Sequence, residues 1–282
     1  MKRSSLIALS ALIALLACST GMNQSDAQAS VQAATMTPPS ATAPADSPRH
    51  GEWMMIRTPQ GDSIRTWVVF PERSVRSPVA LVVHEIFGLS PWIRSVADQL
   101  AAAGFIAVAP DLLTAQAIPG SPLSPDPQAA TAAIRTLNID DVHRQLSAVA
   151  AHMMQHPAAL PRYGIVGFCW GGARSFEHAV RVPELGAAVV YYGASPPATA
   201  AASVRAPVLG LYGGVDARVN NTVPPIDSAM RALGKTFRVV TYEGAGHGFL
   251  RQLDGREGAN RAAANAAWPE TIAWFRTHLE GR

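Results

Sequence analysis

Of the two cysteines in the chain, Cys169 stands where a thiol could do chemistry. In YGIVGFCWGGARSF, residues 163–176, an apolar run leads into Gly-x-Cys-x-Gly and then into a helix expected to begin near Gly171. The central residue of such a turn can be held in strained backbone geometry, because the flanking glycines let neighbouring chain pass without a Cβ clash. The positive end of the helix behind it would favour a thiolate. The competing reading is a buried, inert cysteine in a glycine-rich turn, and the partners of Cys169 must decide between the two.

A thiol nucleophile is commonly served by an imidazole base, and there are eight histidines to choose from. His143, His152, His156, His178 and His278 fall in helical segments, where surface or capping roles are expected, and His50 lies ahead of the folded unit. His247 differs: VVTYEGAGHGFL places it between glycines in a loop just after the last strand. An orienting carboxylate should fall between nucleophile and histidine in chain order. Asp216, delivered after PVLGLYGG, meets that condition better than Asp227, inside a helical pattern, or Glu243, at the edge of a strand. Cys169, Asp216 and His247 thus follow three separate strands in the order of a nucleophile, an orienter and a base.

The elements that must position them are short β-branched runs at 64–70, 79–83, 105–109, 163–167, 187–192, 207–212 and 237–242. Most are continuously apolar, the pattern of strands covered on both faces. Helical segments alternate with them. Residues 91–104 have a proline near the start and a glycine at the end, 139–156 are apolar at helical spacing up to Pro157, and 262–281 should turn Trp274, Phe275 and Leu279 inward. Such alternation predicts an α/β fold, a mostly parallel, doubly wound sheet flanked by helices on both faces, with ligands beyond the carboxyl ends of the strands.

The chain of 282 residues is 48% apolar, ample for one large domain. Residues 1–18, MKRSSLIALSALIALLAC, read as a secretory signal: a basic start, an apolar stretch too short for a full span, and small residues at the end. The ending LLAC resembles the bacterial lipobox, which makes Cys18 the expected lipidation site, with ordinary cleavage after Ala17 as the alternative. The expected location is the bacterial cell envelope, exported and lipid-anchored on the periplasmic side of the outer membrane. A lipidated Cys18 would leave Cys169 as a lone thiol in an oxidising compartment. Residues 19–50, rich in Ala, Pro, Ser and Thr, read as a disordered tether, and 51–282 as the domain. Loss of Lys2 and Arg3 with the signal would bring the formal charge of +3 close to neutral, no footprint for nucleic acid.

HEIFGL, APDLL, GFCWGG, LYGGVD and GAGHGF, in this order and spacing, resemble the dienelactone hydrolase family over essentially the whole unit from Gly51 onward. That resemblance implies a single-domain α/β-hydrolase fold, cleavage of ester or lactone bonds in small molecules, and no cofactor or metal. It makes Cys169 the nucleophile, His247 the base and Asp216 its orienter. It also implies that Glu85 hydrogen-bonds the resting thiol and helps form the thiolate, and that the backbone N–H groups of Ile86 and Trp170 form the oxyanion hole. Arg251 matches an arginine that binds a substrate carboxylate, although by itself it could be a surface charge. The family's second such arginine has no convincing match, since residues 114–138 contain only Arg135, and an aromatic expected in that wall is missing. Dienelactone itself is therefore not the expected substrate. Tyr192, with Tyr191, could line the pocket or simply end a strand. A monomer is expected. The rival readings are a thioesterase or acyltransferase using the same residues, and a non-catalytic binding lipoprotein.

Overall fold

The computed structural model describes residues 37–41, 47–121 and 124–280. The signal segment and Cys18 lie outside the described residues. Strands β1 (Gly51–Arg57), β2 (Ser63–Val69), β3 (Ser77–Val83), β4 (Ile106–Pro110), β7 (Ala159–Phe168), β8 (Ala187–Tyr191), β9 (Val208–Gly213) and β10 (Phe237–Tyr242) form one sheet in the order β1-β2-β4-β3-β7-β8-β9-β10. Among the described strands β1–β2 and β2–β4 pair antiparallel and the other neighbours pair parallel, so the sheet is mostly parallel as expected. A two-stranded ribbon, β5 (Gly120–Ser121) and β6 (Ser124–Pro125), stands apart from it. Sequence patterning missed β1: GEWMMIR is an antiparallel edge strand with mostly half-buried residues, and it lacks the continuous apolar run of a central strand.

Helices α1 (Pro91–Ala102) and α7 (Ala259–Phe275) cover one face. Helices α3 (Ile139–Met154), α4 (Trp170–Arg181) and α6 (Val223–Ala232) cover the other, the short α5 (Ala217–Asn220) preceding α6. Side chains of β3 show why the strands read as unbroken apolar runs: Ala80 and Val82 pack toward α1 and α7, while Val79, Leu81 and Val83 pack toward α3 and α4. Both sides of the pleat are therefore dry. Helix starts are local in origin. Ser90 accepts the Ile93 N–H ahead of Pro91, and Asn138 accepts the Asp140 and Asp141 N–H groups, satisfying donors that have no partner within the helix. Phe275 and Leu279 are buried as expected, whereas Trp274 is half-buried against the core.

Upstream of Gly51 the chain already touches the domain. Arg49 donates to both oxygens of buried Asp98 on α1, at 3.0 and 2.5 Å, Ser47 Oγ donates to the same carboxylate, and the Ser40 and Ser95 hydroxyls meet at 3.2 Å. These described positions of the segment read as a tether are docked, because an Arg–carboxylate fork on a buried acid is a strong, directional contact. Among the described residues no helix is long and apolar enough to cross a membrane.

Candidate active site

Sheet register brings the site together. The chain turns one way from β3 to β4 and the other way to reach β7, so the adjacent ends of β3 and β7 form a switch point. Val83 pairs with Gly167, and Glu85 and Cys169 each lie two residues further on. Phe168 pairs with Tyr191, which sets Tyr192 beside Cys169. Asp216 follows β9, His247 follows β10, and Tyr242 pairs with Gly213 at the ends of those strands. Five neighbouring strand ends thus deliver Glu85, Cys169, Tyr192, Asp216 and His247 to one rim.

Cys169 occupies the corner between β7 and helix α4 with φ 56° and ψ −114°, a conformation that costs an ordinary residue about 1–3 kcal/mol. The corner closes only because its flanks are glycine. A Cβ on Gly167 would collide with the Gly171 carbonyl, and one on Gly171 with the carbonyls of Val83 and His84. The expected helix effect is present but outweighed: burial first, then the charge of Glu85, push the Cys169 thiol up to about 11, against the lowering influence of the Trp170 N–H and Arg218. The resting group is a neutral thiol.

The His247–Asp216 pair forms as expected, with Nδ1–H donating to Asp216 Oδ2 at 2.5 Å. Asp216 is buried and His247 half-buried, which leaves Nε2 as the ring nitrogen not engaged by the carboxylate. Tyr192 packs its ring 5.1 Å from that of His247. It is fully buried at φ 39°, and its hydroxyl has no hydrogen-bond partner among the described residues. Burial first, and then the charges of Glu85, Tyr191 and Cys169, hold that hydroxyl far from ionisation.

Glu85 differs from the resemblance in one respect. Its Oε2 accepts from Arg251 Nε at 2.8 Å, so its partner is Arg251 and not the Cys169 thiol. Burial raises its pKa to about 6 in spite of that guanidinium, so the acid sits near the middle of the usual working range. Arg251 is half-buried and also lies over the Phe87 ring at 5.0 Å, a contact the sequence reading did not anticipate. Arg135 is exposed beyond α2 (Pro127–Ile134). In its stead an apolar wall forms where Ile86, Ile118, Leu137 and Trp170 pack on Leu113, Ala130 and Ile134.

His84 was also missed. It is fully buried, its Nδ1 is 2.8 Å from Glu85 O, and its Nε2 accepts the Leu112 N–H at 3.2 Å. The available signal was its place, immediately before Glu85 at the end of an apolar strand. His143 and His178, expected at the surface or in caps, are instead buried against each other between α3 and α4. Their polar atoms are paired, so the helical pattern there concealed a buried network. Among the described residues no group of three or more His, Cys, Asp or Glu could hold a metal ion.

Residues 64–279 match the model of the dienelactone hydrolase family. A Salmonella typhimurium protein named "Putative carboxymethylenebutenolidase" is 34% identical over 266 residues, covering 86% of this chain and 97% of that protein. A Klebsiella pneumoniae crystal structure described as a "Putative Dienelactone Hydrolase" superposes with a TM-score of 0.70 at 32% identity, covering 80% of this chain and 98% of the other. The dienelactone hydrolase of Anabaena variabilis, at 22% identity with a TM-score of 0.62 and coverage of 82% and 99%, shares the fold.

Proposed function

Since the chain belongs to the dienelactone hydrolase family and is a hydrolase of ester or lactone bonds, we propose that it works through a Cys169 thiolate and an acyl-thioester. The observation that carries this reading is the Cys169 corner itself, strained and glycine-flanked, on the same rim as the His247–Asp216 pair.

A resting thiol with a pKa near 11 needs a local base. Glu85 is that base once Arg251 turns to an acidic group on the substrate. Moving the thiol proton to Glu85 removes the negative charge that raises the Cys169 pKa, leaving the helix N-terminus and the Trp170 N–H to hold the thiolate. The thiolate then attacks the carbonyl carbon. The C–S bond forms, and the π pair moves to an oxygen received by the Ile86 and Trp170 N–H groups. Collapse expels the alkoxide, which takes the proton held by Glu85. His247 then deprotonates the water that cleaves the thioester and returns that proton to the departing sulfur, releasing the acid and restoring the thiol. Asp216 holds the imidazole with Nε2 toward the reaction. One guanidinium and an apolar wall favour a small substrate with one acidic group and a hydrophobic remainder.

The test is pre-steady-state hydrolysis, by the purified full-length chain, of a small activated aryl ester that carries a carboxylate, where a burst of phenol is expected with loss of about 10³-fold or more in Cys169→Ala. Full activity in that variant overturns the nucleophile assignment, and a preference for thioesters in a panel of esters, lactones and thioesters overturns the substrate class. Export and lipid attachment at Cys18 belong to the same reading on the strength of residues 1–18. Labelled fatty acid should enter the intact protein but not Cys18→Ala.

A further inference from the structure

His84 takes no part in the chemistry above, yet it bonds the peptide that carries the Ile86 N–H and stacks its ring on the Trp170 indole. The Leu112 N–H can only donate, so His84 Nε2 must accept, and the ring proton sits on Nδ1 and is donated to Glu85 O. Burial lowers the His84 pKa against the pull of Asp111, in keeping with a neutral ring. The Glu85 carbonyl and the Ile86 N–H belong to one planar amide, so whatever fixes the carbonyl also fixes the direction of the N–H. That carbonyl receives a second, weaker bond from the Gly88 N–H at 3.3 Å. On its other side the His84 ring lies nearly parallel to the Trp170 indole, 5.8 Å away at 19°, and its own carbonyl abuts Gly171.

We propose that His84 is a positioning residue of the oxyanion hole: it anchors the Glu85–Ile86 peptide to the loop after β4, aims the Ile86 N–H at the reacting carbonyl, and braces Trp170. The inference rests on the reading in which Cys169 attacks and the Ile86 and Trp170 N–H groups receive the charge. Donation to the carbonyl also polarises the amide and strengthens its N–H as a donor.

Two variants of the full-length protein separate positioning from mere packing. His84→Phe keeps a flat ring against Trp170 but has no donor, while His84→Asn places an amide N–H close to where Nδ1 stands. Three readouts are needed, each with a probe whose carboxylate can draw Arg251 from Glu85: steady-state hydrolysis of a carboxylate-bearing activated aryl ester, inhibition by a carboxylate-bearing aryl trifluoromethyl ketone, and alkylation of Cys169 by iodoacetate. The ketone adds the thiolate and carries its π pair as an oxyanion, whereas alkylation forms a C–S bond as iodide leaves and needs no oxyanion hole.

His84→Phe should lower kcat by roughly 30- to 100-fold, with KM and the alkylation rate within about twofold. Ketone affinity should fall by the same factor as kcat, and His84→Asn should recover about tenfold or more of the loss. The inference is overturned if His84→Phe is folded with nearly full kcat, if alkylation falls along with kcat, or if His84→Asn does no better than His84→Phe. Should His84→Phe not fold, His84→Asn alone decides: ketone affinity within about threefold of the parent supports the assignment, and any larger loss overturns it. Failure of the underlying reading looks different, because the parent itself would then resist alkylation at Cys169 or keep its activity as Cys169→Ala.

Discussion

Two buried polar clusters lie on the same sheet and are built on opposite terms. Between α3, α4 and β7, Tyr163 O–H donates to His178 Nε2 at 2.9 Å, His178 Nδ1–H to His143 Nδ1 at 3.4 Å, and His143 Nε2–H to Glu177 Oε2 at 3.3 Å. Arg174 Nη2 donates to Glu177 Oε1 at 2.7 Å, while its buried Nε has no partner among the described residues. Each ring nitrogen has a partner, and burial holds His178 neutral with a pKa of about 3. At the rim, by contrast, Tyr192 buries a hydroxyl with no partner among the described residues, Cys169 and Tyr192 hold positive φ, and Glu85 is a buried acid whose pKa stays raised despite Arg251. Buried polar groups are normally satisfied, so the Tyr163–His178–His143–Glu177 relay is architecture. The open rim keeps unspent hydrogen-bonding capacity and strain, as sites of chemistry do.

The largest effect should come from the His247–Asp216 bond at the rim. Asp216→Asn should cut kcat/KM by roughly 10³-fold or more with little change in thermal stability, because the imidazole loses its orienting acceptor. A small loss in steady-state assays would mean that the His247–Asp216 bond is structural, and would erase the contrast.

In the closed cluster the signs reverse. Tyr163→Phe leaves His178 Nε2 buried without its donor and should cost about 1–3 kcal/mol in urea unfolding while kcat is unchanged. Glu85 carries a pH signature. Its folded pKa, about 6, lies above its ordinary 4.5, so its contribution favours the fold below pH 4.5 and is lost as pH rises through 6. Glu85→Gln should therefore gain about 2 kcal/mol on the parent between about pH 4 and pH 8 in denaturant titrations, and a pH-independent difference would contradict the raised pKa. The smallest effect is expected at Tyr192. Removing an unpartnered hydroxyl with Tyr192→Phe should leave stability unchanged or up to about 1 kcal/mol higher, and a loss like that of Tyr163→Phe would show that the hydroxyl is satisfied after all.

Much of this was legible in one dimension. Continuously apolar runs announced the central strands, since burial on both faces leaves no polar alternation to confuse them. Cys169, Asp216 and His247 stood out because glycines and post-strand loops are local features written in consecutive residues. The edge strand β1, half exposed, left only a weak pattern, and the helical spacing of His143 and His178 said nothing of the ring-to-ring bond that buries them.

By itself the sequence determined which residue types end each strand, and hence the candidates for chemistry, because turn geometry and strand periodicity are properties of short segments. Only the tertiary structure decided their states and partners. Register set Glu85 level with Cys169, and burial together with that carboxylate raises the thiol pKa against the pull of the helix N-terminus. Arg251, distant in sequence, became the partner of Glu85. His84 gained a tautomer from Leu112, a residue 28 positions away. Hydrogen-bond direction, desolvation and charge coupling depend on distances through space, and the folded sheet alone sets those.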